Sequence, residues 1–277
     1  MRFTKMHGLG NDYVYVNCFT EEVRDPVKTA RALSDRHRGI GSDGLILIGP
    51  SDKADFRMRI YNADGSVAEM CGNGIRCVGK YVYERGMTTK REIQVETLAG
   101  IRTLRLDVED GQVKAVTVDM GIPILRADRI PVISGNTEVR NEPIEINHME
   151  YRMTAVSMGN PHVVVYVKNV KGMDMNLLGP AFEYHGRFPR RINTEFAEVI
   201  DRRTVRVRVW ERGAGETLAC GTGACAVAVA GVLNDLTERK VQVKLLGGDL
   251  TVEWQKSDNT VYLTGPAEMV FDGEIYT

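Results

Sequence analysis

Residues 218–226 of this chain read LACGTGACA, and residues 69–77 read EMCGNGIRC. Each stretch places a cysteine directly before a Gly-x-Gly turn and a helix-like run. These two cysteines, Cys71 and Cys220, lie 149 positions apart. A glycine-rich turn that opens a helix presents backbone N–H groups without internal partners, and such groups bind anions. The chain therefore predicts two helix starts that carry similar chemistry.

The same spacing of 149 residues recurs elsewhere in the chain. It places residues 57–61 (RMRIY) on residues 206–210 (RVRVW), and both alternate polar and apolar positions as half-buried strands do. It also places residues 10–11 on residues 159–160, which read Gly-Asn in both cases. Three pairs of similar segments with the same spacing indicate that the chain consists of two homologous halves.

The predicted fold class is mixed α/β (α+β). In each half a strand leads through a turn to the cysteine, a buried helix and a meander of strands. The first helix is expected to end near Gly86, and the second to cover residues 223–236. We predict two lobes related by a pseudo-twofold axis, each a curled, largely antiparallel sheet around a central helix. The N-terminal lobe spans residues 1–120 and is completed by about residues 265–277, and the C-terminal lobe spans residues 121–264.

The composition narrows the class of protein. The chain has 277 residues, 43% of them hydrophobic and 26% charged, and a formal net charge of −1. This balance gives no basic field for nucleic acid or an anionic membrane, so neither is expected as a partner. The apolar runs are too short to span a bilayer, and the N-terminus lacks the apolar core of a secretion signal. Five cysteines, an odd number, then favour reduced thiols and a cytoplasmic location.

A thiol at a helix N-terminus suits proton transfer. The helix dipole and the free N–H groups there stabilise a thiolate and lower the pKa of the cysteine. Two such thiols on opposite sides of one substrate carbon could act as base and acid, and so invert the carbon. The same N–H groups would stabilise charge on an adjacent carboxylate, so no electron-sink cofactor is required.

Four longer motifs carry a resemblance to a known family. They are residues 7–12 (HGLGND), 70–77 (MCGNGIRC), 158–162 (MGNPH) and 211–224 (ERGAGETLACGTGA). Together they strongly resemble the diaminopimelate epimerases, and the resemblance runs on to residues 265–267 (GPA).

The resemblance implies a cytoplasmic isomerase of the lysine pathway that needs no cofactor and no metal and is a homodimer. It implies that the substrate is a small molecule and that the isomerase interconverts LL- and meso-2,6-diaminoheptanedioate. Cys71 and Cys220 would transfer the protons, with His162 and Glu211 assisting. The residues implied in substrate binding are Asn11, Asn62, Gly72, Asn73, Asn160, Asn193, Glu211, Arg212, Gly221 and Thr222. Among these, the backbone amides of the two residues after each cysteine would bind the reacting carboxylate, and Glu211 and Arg212 would hold the reacting amino and carboxylate ends. The remaining asparagines, Asn11, Asn62, Asn160 and Asn193, would recognise chiefly the distal amino acid end of the substrate.

Two departures from the family pattern stand out. The chain has Gly44 where many members carry a glutamine, so a backbone group, Ser42 or Asp43 is expected to replace that contact. It also has Phe271 where a tyrosine is common at the dimer contact.

The spacing of the motifs argues against a zinc site and against a dinucleotide-binding site. Cys71 and Cys77 are six residues apart, and Cys220 and Cys225 are five residues apart. Along a helix these spacings turn the side chains by about 240° and about 140°, so the thiols of a pair do not converge on a zinc ion. The thiols outside the two caps (Cys18, Cys77, Cys225) are expected in the core. Residues 39–44 (GIGSDG) precede a strand instead of following one, which argues against a dinucleotide fingerprint.

Three functions remain as alternatives: a cysteine-pair proline racemase or hydroxyproline epimerase, a non-catalytic amino-acid-binding module, and a thiol redox protein.

Overall fold

The computed structural model describes residues 1–276, which divide into two compact units. Unit 1 comprises Met1–Asp119 with the chain from Thr264 onward, and unit 2 comprises Met120–Leu263. The helices are α1 (Pro26–Ser34), α2 (Gly72–Glu84), α3 (Met175–Glu183) and α4 (Gly221–Leu233), with a 3₁₀ turn at Ala127–Arg129. The strands are β1 (Arg2–Gly8), β2 (Asn11–Asn17), β3 (Gly44–Gly49), β4 (Phe56–Asn62), β5 (Val67–Ala68), β6 (Glu92–Thr97), β7 (Gly100–Glu109), β8 (Gln112–Asp119), β9 (Glu142–Ile146), β10 (Met149–Ser157), β11 (Pro161–Tyr166), β12 (Asn193–Asp201), β13 (Thr204–Glu211), β14 (Gly215–Thr217), β15 (Lys240–Leu245), β16 (Gly248–Trp254), β17 (Val261–Gly265) and β18 (Glu268–Glu274).

In unit 1 the strands surround α2. Strand β1 pairs antiparallel with both β2 and β18, β2 runs parallel to β3, and β3 pairs antiparallel with β4. Strand β4 runs parallel to β6, which continues as the antiparallel meander β6–β7–β8. Helix α2 packs against β1, β2, β7, β8 and β18, and the residues of its first turn are buried. Helix α1, which opens with Pro26 behind the capping side chain of Asp25, packs outside on β3 and β4.

Unit 2 repeats this arrangement around α4. Strand β11 runs parallel to β12, β12 pairs antiparallel with β13, and β13 runs parallel to β15. Helix α4 packs against β10, β11, β12, β15 and β16. Its sequence GTGACAVAVAGVL is small and apolar on every side, as a fully enclosed helix requires. A second cluster of buried side chains, which includes Phe182 and Phe196, lies between α3 and the other face of the strands.

The repeat seen in the sequence recurs in the strand register. His162 on β11 stands opposite Asn193 on β12, as Tyr13 on β2 stands opposite Gly44 on β3. Each pair differs from its counterpart by 149 residues. The mixed α+β class with a largely antiparallel sheet in each unit is therefore confirmed.

Some boundaries differ from the sequence prediction. Helix α4 begins at Gly221, two residues before the predicted start, because Cys220 caps it. It ends at Leu233, before the predicted residue 236, because Asp235 adopts a left-handed backbone with φ of 57°. Strand β18 was not predicted, since none of its side chains is buried and its sequence lacks an apolar alternation. No helix within residues 1–276 is both long enough and apolar enough to cross a membrane.

Candidate active site

Each of the two motif cysteines caps a 13-residue helix. Cys71 has an extended backbone, and its Sγ accepts a hydrogen bond from the N–H of Gly74 at 3.3 Å. Cys220 is also extended, and its Sγ accepts from the N–H of Gly223 at 3.4 Å. A side-chain acceptor at this position satisfies one of the N–H groups that the first turn leaves unpaired. Both sulfurs therefore lie at the positive end of a helix.

The second glycine of each motif allows a strand to approach the helix start. A Cβ atom on Gly74 would lie 2.7 Å from Cδ1 of Ile46, a residue of β3. A Cβ atom on Gly223 would lie 2.5 Å from Oε1 of Glu195, a residue of β12. The two units thus share a close approach of strand to helix, but one presents a methyl group there and the other a carboxylate.

Two uncharged side chains, Asn11 and Tyr13, lie next to the Cys71 thiol of unit 1. The Cys71 thiol donates to Oδ1 of Asn11 at 3.3 Å, and Nδ2 of Asn11 donates to Oδ2 of Asp43 at 2.7 Å. Tyr13 is buried, and burial, assisted by the nearby Cys71 and Asp43, raises its pKa well above the ordinary value. The Tyr13 hydroxyl therefore keeps its proton.

Ion pairs fix the loop that carries Asp43. The Arg36 guanidinium donates to Asp12 at 2.9 Å and to Asp43 at 3.0 Å. Lys5 pairs with the second oxygen of Asp12 at 2.5 Å. Asp43 is therefore held in place, and Asn11 links it to Cys71.

Position 44 has no room for a side chain in this arrangement. A Cβ atom on Gly44 would lie 2.2 Å from the carbonyl oxygen of Tyr61, so a larger residue requires the backbone of β3 or β4 to shift. Ser42 is buried and turned inward, donating to the carbonyl of Gly44 at 2.9 Å. The family's glutamine contact thus has no side-chain counterpart at this position.

The other predicted residues of unit 1 lie in the first turn of α2 and at the end of β4. Gly72 and Asn73 are buried in its first turn. Arg76 is fully buried and donates to the carbonyls of Gly72 at 3.0 Å and Pro266 at 3.1 Å, which places a cation beneath that turn. Asn62 ends β4, where its amide donates to the hydroxyl of Ser66 at 2.9 Å.

The cysteine site of unit 2 contains charged groups instead. Nδ1 of His162 lies 2.7 Å from Oε1 of Glu195, and Nε2 lies 3.0 Å from Oδ1 of Asn160. His162 and Glu195 are both fully buried. One atom each from His162, Glu195 and Cys220 lie within 4.8 Å of one another. The structure therefore brings the predicted His162 and Cys220 together with a residue that the motifs did not single out.

The charge around Cys220 opposes ionisation of its thiol. Burial, followed by the negative charges of Glu211 and Glu195, raises the pKa of Cys220 well above its ordinary value. The hydroxyl of Thr222 at 3.5 Å and the Gly223 N–H act in the opposite direction. For Cys220 the expectation of a lowered pKa was therefore wrong, because two carboxylates and the loss of solvent outweigh the helix terminus.

Glu211 itself lies in a low-dielectric position. Burial raises its pKa, and the hydroxyl of Thr217 donates to Oε1 of Glu211 at 2.5 Å. Burial disfavours the charged form of this carboxyl group, so Glu211 keeps its proton to a higher pH than an exposed glutamate does.

The remaining predicted residues of unit 2 order the loop before α4. The side-chain amide of Asn193 donates to the carbonyl of Pro161 at 2.8 Å and accepts from the N–H of Arg212 at 2.8 Å. Nη1 of Arg212 donates to the carbonyl of Arg190 at 3.0 Å. Gly221, like Gly72, is buried in the first turn of its helix. Asn193 thus positions the backbone of this loop.

The cluster of His162, Glu195 and Cys220 has the donor types of a zinc site, but its geometry is that of a hydrogen-bonded network. Zinc ligands need a lone pair directed at the metal. Both ring nitrogens of His162 are already engaged, by Glu195 and by Asn160. This arrangement suits proton transfer, and it leaves the His162 ring no free nitrogen for a metal.

Two residues of these sites, Tyr13 and Glu195, were not predicted. The 149-residue shift could have found Tyr13, because it places Tyr13 on His162, but it places the apolar Ile46 on Glu195 and so gives no signal for Glu195. It also places Asn62 on Glu211. Unit 2 therefore carries an imidazole and two carboxyl groups at three positions around its cysteine where unit 1 carries a tyrosine, an isoleucine and an asparagine.

Sequence comparisons match this chain to one family over nearly its full length. The family profile of diaminopimelate epimerase matches residues 3–125 and 154–270. The diaminopimelate epimerase of Acetivibrio thermocellus is 64% identical over 275 residues, which cover 99% of this chain and 98% of that protein. The diaminopimelate epimerase of Methanococcus maripaludis strain C6 is 58% identical over 275 residues, covering 99% of both chains.

Solved structures show the same fold at low sequence identity. A hydroxyproline epimerase from Agrobacterium vitis with bound trans-4-hydroxy-L-proline aligns with a TM-score of 0.72 at 17% identity, over 99% of this chain and 90% of that one. A probable proline racemase from Agrobacterium radiobacter K84 aligns with a TM-score of 0.74 at 14% identity, over 99% and 92%. These two likenesses concern the fold alone. Taken with the duplicated cysteine caps, the full-length sequence matches show that the chain belongs to the diaminopimelate epimerase family.

Proposed function

We propose that the protein is an isomerase that interconverts LL- and meso-2,6-diaminoheptanedioate by proton transfer at the α-carbon, with Cys71 and Cys220 as the two acid–base groups. The observation that carries the proposal is the repeated cap: in a chain of this family, each cysteine accepts the N–H of the residue three positions on, at 3.3 and 3.4 Å. A duplicated acid–base group is what inversion of a carbon by proton transfer requires.

The proton balance of the reaction is simple. One sulfur, as thiolate, takes the α-proton, so a C–H bond breaks and an S–H bond forms. The other sulfur, as thiol, gives its proton to the opposite face of the carbon. The N–H groups of Gly72 and Asn73, or of Gly221 and Thr222, would stabilise the charge that develops on the α-carboxylate.

The neighbours of each sulfur would tune this transfer. Asn11, which accepts from the Cys71 thiol, and Asn160, which contacts His162, are proposed to orient substrate together with Asn62, Asn193 and Arg212. His162 and Glu211 would assist Cys220, since both lie within its buried network.

Hydrogen exchange at the α-carbon tests the proposal directly. The protein is incubated with LL-diaminopimelate in D₂O, without pyridoxal phosphate or added metal, and the products are analysed by NMR and mass spectrometry. We expect deuterium at the α-carbon of the product of inverted configuration. Turnover of proline or 4-hydroxyproline without turnover of diaminopimelate would instead identify the racemase alternative.

Cysteine variants test the assignment of the two sulfurs. Cys71→Ala and Cys220→Ala should each lower kcat by at least about 10²-fold, because general acid–base groups contribute about 10²–10⁴. Cys18→Ala is the matched control, since Cys18 is a half-buried thiol outside both helix caps. Full turnover in either site variant would show that the two-thiol assignment is wrong.

We also propose a homodimer in the cytoplasm. Val270 and Phe271 on β18 are 55% and 48% exposed, and the ring of Phe271 packs edge-on against Phe3. Exposed apolar side chains next to one another are a common feature of subunit contacts. Five free thiols suit a reducing compartment.

A further inference from the structure

Glu195 is a buried acidic residue that has no role in the reaction proposed above. Its side chain is fully buried, and only Oε1 has a hydrogen-bond partner among the described residues, the Nδ1 atom of His162 at 2.7 Å. The second oxygen, Oε2, is buried without a partner within residues 1–276. A buried carboxyl group with an unpartnered oxygen is costly to the fold, so its effect on the neighbouring groups is the feature that calls for an explanation.

The strand register directs Glu195 at the cysteine. On the parallel pair β11–β12, His162 stands opposite Asn193 and Val164 opposite Glu195. Side chains two residues apart on a strand share a face, so His162 and Glu195 project to the same side of the sheet. That side is the one on which α4 packs, with Gly223 against Oε1 of Glu195.

The equivalent position in unit 1 carries no charge. The residue 149 positions before Glu195 is Ile46, whose Cδ1 takes the same place against Gly74 that Oε1 of Glu195 takes against Gly223. The residue equivalent to His162 is Tyr13. The two cysteine sites therefore share a backbone and differ in their electrostatics.

We propose that Glu195 is a positioning residue of the unit-2 cysteine site: its carboxylate holds the His162 ring by Nδ1, and its charge keeps Cys220 in the thiol form in the substrate-free protein. This inference rests on the proposed role of Cys220 in proton transfer. The titratable side chains of unit 2 that act on Cys220 are Glu195 from β12, Glu211 from β13 and, within 4.8 Å, His162 from β11. The raised pKa of Cys220, to which Glu195 contributes, supports the second half of the proposal.

The test measures the ionisation of Cys220 without substrate. The protein is alkylated with iodoacetamide over pH 6 to 10, and tandem mass spectrometry follows the adduct on Cys220 separately from that on Cys225. Glu195→Gln keeps the shape of the side chain and removes its charge. We expect the pH midpoint of Cys220 alkylation to fall by about one unit, which is about a tenfold faster reaction near neutral pH.

Three further variants separate the parts of the proposal. Glu195→Asp keeps the charge but shortens the reach to His162, so the alkylation midpoint should stay while kcat falls about tenfold. His162→Gln keeps the carboxylate and removes the ring, so the midpoint should again stay above the ordinary value. Glu198→Gln is the matched control, since Glu198 lies on the opposite face of β12 and pairs with Arg206 at 3.1 Å.

The outcomes are distinct. An unchanged midpoint in Glu195→Gln, or an equal shift in Glu198→Gln, would overturn the role of the charge. Full turnover in Glu195→Asp would overturn the role in holding His162. Because alkylation needs no substrate, a failure of the proposed epimerase activity would leave these midpoints measurable and would be recognised separately in the D₂O experiment.

Discussion

At the scale of single residues, a cysteine at a helix cap has no fixed chemistry, because the groups beyond the helix decide it. Cys71 faces Asn11 and Tyr13, whereas Cys220 faces His162, Glu195 and Glu211. The positions of the two caps could be predicted from Gly-x-Gly spacing alone. The raised pKa of Cys220 could not, because Glu195 lies 25 residues away in the sequence and reaches the sulfur only through the β11–β12 pairing.

The buried carboxyl of Glu211 gives a prediction for stability against pH. Its pKa in the folded protein is raised from 4.5 by burial, so its contribution to stability is complete below about pH 4.5 and is lost as the pH rises through the folded value. Glu211→Gln, which can still accept from Thr217, removes this loss. We therefore expect the variant to gain stability relative to the wild type between pH 4.5 and pH 8.

Urea unfolding at both pH values measures the effect. Glu253→Gln, at a partly exposed position of β16, is the control and should show no such gain. A difference between Glu211→Gln and the wild type that is the same at pH 4.5 and pH 8 would contradict the burial argument.

At the scale of elements, the sequence predicted those that follow the repeat and missed those outside it. Strands β4 and β13 were predicted from polar–apolar alternation, and α2 and α4 from the run after each cysteine. Helix α3 was not predicted, since it is short and contains Pro180, which usually ends a helix. Its formation depends on tertiary packing, above all on the contact of Gly179 with Trp210.

That contact predicts the effect of a single methyl group. A Cβ atom on Gly179 would lie 2.0 Å from Cδ2 of the Trp210 ring, which cannot move without disturbing β13. Gly179→Ala should therefore lower the free energy of unfolding by about 1–3 kcal/mol, the usual cost of overpacking. Gly186→Ala is the control, because a Cβ there meets no atom within 4 Å.

Denaturation followed by tryptophan fluorescence measures both variants, since Trp210 is one of two tryptophans in the chain. Equal midpoints for Gly179→Ala and the wild type would show that α3 can move away from β13 at no cost.

At the scale of the whole molecule, the duplicated plan was predictable because the 149-residue shift is visible without any structure. What the repeat does not encode is the route of the last residues. Strand β18 pairs with β1 from Arg2 opposite Glu274 to His7 opposite Glu268, and its side chains show no buried alternation. Its backbone pairing with β1 is supplemented by the ion pair of Arg85 with Asp272 and by the contact of Phe271 with Phe3, and none of these leaves an apolar alternation in the sequence. The homodimer, the domain bounds and the roles of the site residues stay predictions.

The homodimer gives a prediction at this scale. If the exposed pair Val270 and Phe271 lies in the subunit contact, Phe271→Asp places a charge there and should convert the dimer to monomer. Ile133→Asp is the matched control, since Ile133 in unit 2 is 59% exposed. Light scattering after size-exclusion chromatography measures the mass of each variant. A monomeric wild type, or a dimeric Phe271→Asp variant, would show that this surface is not the contact.

The closure of unit 1 by the end of the chain has a consequence for biosynthesis. The amino group of Met1 donates to the carbonyl of Ile275 at 2.7 Å, and β1 has β18 as one of its two neighbours. A ribosome that has made the first 119 residues has therefore not yet supplied the strand that finishes the unit, whereas residues 120–263 emerge as one uninterrupted stretch. Nascent chains usually acquire structure from the N-terminal end. Here the half that is translated second is the first to have all its parts, and the half translated first waits until the chain from Thr264 onward has been made.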